Sequence, residues 1–225
     1  MNVGIVVAGG RGERMGGKVD KAFLSLGPKP VLAYSLQAFE ECQDIDEVVL
    51  VVRRERVDSA RSMAQMFGCS KVHSVVAGGG KRQISVSHGL SVVDESASII
   101  AVHDGARPCV TPQIITDTIK VAKRYGSGVA AVKITDTVKY VDRGYTVTKT
   151  VDRAKLWAVQ TPQTFKYEVL VKAFEAVKKK NLTVTDEASA AELVLDNVRL
   201  VPAASSNIKV TTPDDLMLAA ALLKL

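Results

Sequence analysis

Short runs of β-branched and aliphatic residues alternate with amphipathic stretches through the first 130 residues of the chain. Each run is apolar at consecutive positions, as a strand covered on both faces must be, so the alternation predicts βα units around a parallel sheet. The runs fall near residues 4–8, 48–52, 72–76, 99–103 and 129–132. Between them, Leu32, Leu36 and Phe39 stand at i, i+4 and i+7, and Ile115, Ile119 and Ala122 repeat that spacing. Both segments read as helices with one face toward a core.

The pattern changes after Lys133. Residues 137–141 and 145–151 flank Asp142-Arg143-Gly144, a turn tripeptide with glycine where positive φ is needed, which predicts a β-hairpin. Its polar, alternating composition covers little core, so it is either a plain surface hairpin or an arm that pairs with another subunit. Beyond it come a strand near 156–160, a helix near 167–179 and a helix opened by Thr185-Asp186-Glu187, with Thr185 as the cap and acids in the first turn. A final strand near 208–210 leads through Thr212-Pro213, a cap followed by proline, into a C-terminal helix. No internal repeat breaks the chain, which reads as one domain over residues 1–225 with the hairpin arm at 134–154.

Composition narrows the partners. Lys and Arg outnumber Asp and Glu by 30 to 24, which favours anionic ligands but does not choose between nucleic acid and phosphorylated small molecules. An aromatic content of 5% chooses: single Trp157 and scattered Tyr and Phe form no stacking platform, so nucleic acid is not expected and a small phosphorylated ligand is. Cys42, Cys69 and Cys109 are odd in number and lack metal-type spacing, which predicts reduced thiols in a cytoplasmic setting. The chain opens on an apolar strand without a basic leader and carries no run of 18 apolar residues, so neither export nor a membrane span is expected.

The candidate chemistry begins where the first strand ends. Ala8-Gly9-Gly10-Arg11-Gly12-Glu13-Arg14-Met15-Gly16-Gly17-Lys18-Val19-Asp20-Lys21 is rich in glycines and cations. Glycine lets backbone N–H groups approach phosphate oxygens, and Arg and Lys neutralise charge that grows during phosphoryl transfer. A P-loop is excluded, because Gly17-Lys18 is followed by Val19 where that motif needs a hydroxyl. A dinucleotide fingerprint is disfavoured: after Gly10 and Gly12 the next glycine, Gly16, comes one residue late, and the second strand ends in Arg53-Arg54 instead of an acidic ribose ligand.

These residues and six further motifs in register resemble the 2-C-methyl-D-erythritol 4-phosphate cytidylyltransferases of the non-mevalonate isoprenoid pathway. Beside the first loop they are His103-Asp104-Gly105-Ala106-Arg107-Pro108, Asp136-Thr137-Val138-Lys139, Val151-Asp152-Arg153, Gln160-Thr161-Pro162-Gln163, Thr185-Asp186-Glu187-Ala188-Ser189 and Asn207-Ile208-Lys209-Val210. The resemblance spans nearly the whole chain. It implies a Rossmann-like three-layer α/β nucleotidyltransferase fold with a mostly parallel central sheet and a projecting β-hairpin arm. It also implies an enzyme that transfers CMP from CTP to a polyol phosphate and releases pyrophosphate. Ribitol-5-phosphate cytidylyltransferases share most of these motifs and differ in acceptor fit. A non-catalytic nucleotide-binding module is a third reading, opposed by Arg14, Lys21, Asp104 and Lys209 standing together.

By the resemblance, Arg14 and Lys21 stabilise the transition state, and Arg153 and Lys209 hold the acceptor phosphate. Asp104 lies near the acceptor hydroxyls and the metal, with Arg107 beside it, while His103 packs. Thr161 and Thr185 reach the acceptor from their own subunit, whereas Thr137 and Arg153 reach the neighbouring subunit's site, which makes a homodimer the expected active form. The backbone around Ala8 and Gly80 and the Ser85 hydroxyl read cytosine, and Gly9 and Gly10 belong to the same nucleotide-binding set. Mg2+ or another divalent cation is implied on the CTP phosphates, with Asp104 as the protein group nearest to it. One departure stands out: the family usually has proline before the catalytic lysine, and here Asp20 precedes Lys21.

Overall fold

The structure, a computed structural model, describes residues 1–10 and 20–225. In chain order these form β1 (Asn2–Ala8), β2 (Ser25–Leu26), β3 (Lys29–Pro30), α1 (Val31–Glu41), β4 (Glu47–Val52), α2 (Val57–Met66), β5 (Val72–Ala77), α3 (Arg82–Leu90), β6 (Ile99–Asp104), α4 (Pro112–Tyr125) and β7 (Ser127–Lys133). They continue as β8 (Val138–Val141), β9 (Val147–Val151), β10 (Trp157–Lys166), α5 (Tyr167–Lys179), α6 (Glu187–Ala191), β11 (Leu200–Pro202) and α7 (Pro213–Leu222). Seven strands form one sheet in the order β11-β7-β10-β6-β1-β4-β5. Strand β10 runs antiparallel to both β6 and β7; the other pairings are parallel.

Two-sided burial explains the apolar runs. Successive strand residues point to opposite faces. Val6, Val48, Leu50, Val52 and Ala101 pack with Leu32, Leu36 and Phe39 of α1, Met63 of α2 and Ile115 and Ile119 of α4. Their neighbours Val3, Ile5, Val49, Val51 and Val102 pack with Val86 and Leu90 of α3, Leu170 of α5 and Ala188 of α6. Three layers result, as the resemblance implied. Helix α4 shows how local chemistry sets its ends: the Thr111 hydroxyl accepts from the Ile114 N–H, Pro112 takes the first turn, and Gly126 closes the helix at φ 90°. Helix α7 begins with a full capping box between Thr212 and Asp215 behind Pro213. No described helix is long and apolar enough to cross a membrane.

Four local expectations are corrected. Residues 208–210 are not a strand: Val210 donates a single backbone bond to the Ala106 carbonyl, and its side chain is buried with Leu26, Val31 and Ala219 beneath α7. The closing strand is β11, paired with β7. The strand expected at 156–160 continues to Lys166, because a register shift between Val159 and Gln163 accommodates Pro162, which cannot donate to the ladder. Helix α6 is capped by Asp186, whose carboxylate accepts from the Ser189 N–H, and Thr185 stands outside it. In the hairpin, Tyr145 belongs to the turn at φ 61°, so β9 starts later than 145.

Candidate active site

Parallel strands release their C-terminal ends along one edge of the sheet, the place where open α/β sheets bind ligands. Here β1 releases Gly9 and Gly10, β4 releases Arg53 and Arg54, β5 releases Gly78 to Gly80, and β6 ends at Asp104. Between them opens a cavity of about 550 Å³, within the usual range for small-ligand sites. Lys21 enters its wall from a short 3₁₀ turn, Lys81, Arg82 and Ser85 from the start of α3, and Lys209 from the segment before α7. The described part of the lining carries six cations, Lys21, Arg53, Arg54, Lys81, Arg82 and Lys209, against two carboxylates, Glu55 and Asp104. Such a wall selects an anion.

The glycine turn after β5 is built around Ser85. The Ser85 hydroxyl accepts from the Gly79 N–H at 3.1 Å, and the Gly78 N–H bonds the Val52 carbonyl at 2.7 Å. A Cβ on Gly79 would collide with Ile84, so the turn can lie against α3 only as glycine. Its next residue, Gly80, opens to the cavity with no neighbour that a Cβ would meet.

Asp104 is the electrostatic centre. Its Oδ1 accepts from Arg82 Nε at 2.9 Å and its Oδ2 from Lys209 Nζ at 2.5 Å, while Arg82 Nη1 reaches Glu187 Oε1 at 2.5 Å. Burial alone would raise the Asp104 carboxyl, but Arg82 and Lys209 outweigh it and hold the group well below the usual carboxylate range. Burial likewise opposes the charge on Arg82, and the Glu187 and Asp104 carboxylates more than restore it. Glu187 sits above the usual range because burial prevails over Arg82.

Behind Asp104 runs a row of neutral bonds. Its backbone N–H donates to Thr161 Oγ1 at 3.1 Å, and Thr161 Oγ1 lies 3.0 Å from His103 Nδ1. Burial pushes the His103 imidazole down to about 3, so it is neutral at physiological pH. Its Nε2 faces the Arg107 carbonyl at 3.4 Å and must carry the proton there, which leaves Nδ1 to accept from the threonine hydroxyl. Arg107 Nη1 donates to the Asn207 carbonyl at 2.7 Å, tying the exit of β6 to the segment that bears Lys209.

Comparison with known proteins decides the family. The family profile described as 2-C-methyl-D-erythritol 4-phosphate cytidylyltransferase matches residues 2–225. A protein of that name from Alkaliphilus oremlandii is 40% identical over 221 residues, covering 98% of this chain and 94% of that protein. Another, from Caldanaerobacter subterraneus subsp. tengcongensis, is 40% identical over 226 residues and the full length of both. The chain belongs to the 2-C-methyl-D-erythritol 4-phosphate cytidylyltransferase family. Solved structures agree: a 4-diphosphocytidyl-2C-methyl-D-erythritol synthase from Anaerococcus prevotii superposes with a TM-score of 0.87 at 27% identity, covering 100% of this chain and 96% of that one. The Thermus thermophilus cytidylyltransferase superposes with a TM-score of 0.81 at 28% identity, covering 98% of each.

Within this cytidylyltransferase scaffold, the residues singled out in the sequence separate into groups. Ala8, Gly9, Gly10, Lys21, Gly80, Ser85, Asp104 and Lys209 line the cavity together. Thr161 and Arg107 stand behind Asp104 as described. Thr185 is exposed, its hydroxyl 3.3 Å from that of Ser189, and Thr137 and Arg153 are exposed at the foot of the hairpin. Arg14 lies outside the described residues. At the family's departure, Asp20 is buried and pairs with Arg56 Nε at 3.3 Å, and the Arg56 guanidinium lies 5.1 Å over the Phe23 ring. Arg56 thus touches both Asp20 and Phe23, the two ends of the turn that presents Lys21.

Sequence reading overlooked Arg82 and Glu187 as site residues. Arg82 lies two residues after the glycine turn and Glu187 inside the motif that opens α6. Their pairing crosses 105 positions and has no local signal.

Proposed function

We propose that the chain transfers CMP from CTP to 2-C-methyl-D-erythritol 4-phosphate, giving 4-diphosphocytidyl-2-C-methyl-D-erythritol and pyrophosphate. The observation that carries this reading is the cavity at the glycine-bearing strand ends, whose described residues bring six cations and two carboxylates to its wall in the fold of that family. An oxygen of the acceptor phosphate forms a bond to the α-phosphorus of CTP as the bond to pyrophosphate breaks. That oxygen is already ionised near neutral pH, since the second ionisation of a phosphate monoester lies at about 6. No enzyme base has to remove a proton. Catalysis is then positioning and charge stabilisation, with Lys21 and Arg14 at the α-phosphate and Lys209 and Arg153 on the acceptor phosphate.

Backbone at Ala8, Gly9, Gly10 and Gly80 is offered to the nucleobase, and Ser85 fixes the shape of that turn. Asp104 serves the acceptor side with Thr185, while Thr161 and Arg107 act from behind it: the Thr161 hydroxyl is spent on His103 Nδ1 and the Asp104 N–H, and Arg107 Nη1 on the Asn207 carbonyl. The residues present suit a magnesium ion that arrives on the triphosphate: no group of three His, Cys, Asp or Glu among the described residues could hold one alone, and both Asp104 oxygens already accept from cations. Bound there, the ion would neutralise phosphate charge beside Asp104, the carboxylate in which β6 ends.

The active form in this reading is a homodimer. The β8–β9 arm holds Tyr140, Val141, Tyr145 and Val147 exposed, with Tyr145 93% accessible, and such side chains suit a second subunit that receives Thr137 and Arg153. Three cysteines without disulfides suit a cytoplasmic enzyme. A pyrophosphate-release assay with CTP and either methylerythritol phosphate or ribitol 5-phosphate tests the reading. Turnover confined to the first acceptor is expected; preference for ribitol 5-phosphate, or tight CTP binding without turnover, would overturn it.

A further inference from the structure

Arg82 is the first residue of α3, and its guanidinium spans two carboxylates that belong to different layers of the molecule. Asp104 ends a strand of the sheet, whereas Glu187 sits on α6, with only 1% of its side chain exposed. A buried ion pair adds little net stability over apolar residues of the same size, because desolvation offsets the attraction. What this one supplies is direction. Arg82 Nε takes one Asp104 oxygen and Lys209 takes the other, so the carboxylate cannot rotate.

Glu187 is itself fixed from both sides. Gln163 of β10 accepts from the Ala188 N–H at 2.8 Å and donates to Asp186 Oδ2 at 2.9 Å, locking the residues before and after Glu187 to the sheet. Gln163 is 2% exposed and also donates to the Gln160 carbonyl at 3.2 Å. A continuous chain therefore runs from β10 through α6 and Arg82 to the Asp104 carboxylate. A planar guanidinium fork can bridge two carboxylates at fixed angles, which an ammonium cannot.

We propose that Arg82 and Glu187 are positioning residues that set the orientation of the Asp104 carboxylate toward bound substrate, an inference that rests on the assignment of Asp104 as a substrate-binding group. Glu187, buried outside the cavity lining, acts on the reaction through Arg82, and Arg82, besides lending its charge to the cavity wall, acts through Asp104. Neither needs to touch substrate.

A double-mutant cycle tests this. Native enzyme, Glu187→Gln, Asp104→Asn and the double variant are compared by kcat/KM for CTP and for the acceptor, using labelled CTP at enzyme concentrations high enough to follow slow turnover. Glu187→Gln is expected to lower kcat/KM by about tenfold in the native background and by less than about twofold once Asp104 is asparagine, since neighbours in one network are not additive. A purely structural role would give the same loss in both backgrounds, and that result, or no loss in the native background, overturns the proposal. Asp104→Asn alone reports separately on the assignment beneath it: an unchanged kcat/KM would remove Asp104 from the substrate site. Should Glu187→Gln not fold, Arg82→Lys runs the same cycle, because lysine keeps the charge and gives up the second arm of the fork.

Discussion

Lowering the pH should cost this protein stability through one residue, His103. The imidazole is fully buried, its ring centroid 5.4 Å from that of Phe39, and both nitrogens are committed to Thr161 and the Arg107 carbonyl. Burial drives its pKa to about 3, with Asp104 pulling the other way and the Arg107 and Arg82 charges adding to the fall. Unfolded, the same side chain titrates at about 6.5. Between those values the unfolded chain binds the proton and the native chain does not, so stability is whole above about 6.5 and falls as pH drops toward 3. From pH 7 to pH 5 the loss works out at about 2 kcal/mol, at about 1.36 kcal/mol for each unit of separation.

Urea unfolding of native protein and His103→Gln at pH 7 and pH 5 measures this. Glutamine offers one acceptor and one donor on a neutral side chain, so any constant penalty of the replacement cancels when each protein is compared with itself. Glu187, held above the carboxylate range, works in the opposite direction but is present in both proteins. The native protein should lose about 2 kcal/mol more than the variant over that interval. Equal losses would refute the picture of a neutral, sealed imidazole.

Other outcomes follow from the site. Lys21→Ala should lower turnover by at least about a hundredfold, as losing a preorganised charge-stabilising contact does, while Lys18→Ala does little; the reverse order in a pyrophosphate-release assay would reassign the cation. Thr161→Val leaves the Asp104 N–H and His103 Nδ1 without their shared partner and should cost about 1–3 kcal/mol in urea unfolding, with Thr161→Ser close to native. Replacing residues 139–150 by a short glycine link should give a monomer by sedimentation with most activity lost; a fully active monomer would refute the arm's role. Finally, kcat/KM for the acceptor should fall on the acid side at about 6, where the acceptor phosphate protonates, and this limb should move when an acceptor analogue of lower phosphate pKa is used. A limb that stays in place would belong to the enzyme.

The parallel sheet was legible because two-sided burial leaves unbroken apolar runs, and Leu32, Leu36 and Phe39 or Ile115, Ile119 and Ala122 mark their helices by period alone. What escaped was whatever tertiary context decided. Val210 is as apolar as any strand residue, yet it is used beneath α7 instead of in the sheet. Pro162 reads as the end of a strand until a register shift absorbs it. Thr185 and Asp186 are both good caps, and only the backbone at 186, extended at φ −156°, makes Asp186 the one that binds the Ser189 N–H. In the site, residues just beyond strand ends gathered as their positions required. Glu187 did not reveal itself, because a carboxylate in a first helical turn reads as solvated and its partner is 105 residues away.

The same contacts explain why the cavity should work by charge and not by a nucleophile. His103, the histidine closest to the chemistry in sequence, is neutral and has spent both nitrogens, so it can neither abstract a proton nor attack phosphorus. Cys42 and Cys69 lie in the core, and burial pushes the Cys69 thiol up to about 11, which keeps it a thiol and a poor nucleophile. Among the described residues the cavity therefore offers chiefly glycine backbone and cations, with Glu55 on its wall and Asp104 held ionised between two of the cations. A phosphate acceptor brings its own anionic nucleophile and asks only for alignment and neutralised charge. A cation-walled site would gain little from a base at its centre, since a proton-accepting imidazole there would become one more charge to desolvate. Sealing His103 behind Thr161 and fixing Asp104 through Arg82 are two parts of one arrangement: the imidazole is held neutral and the carboxylate ionised, so the field around Asp104 is set before any substrate arrives.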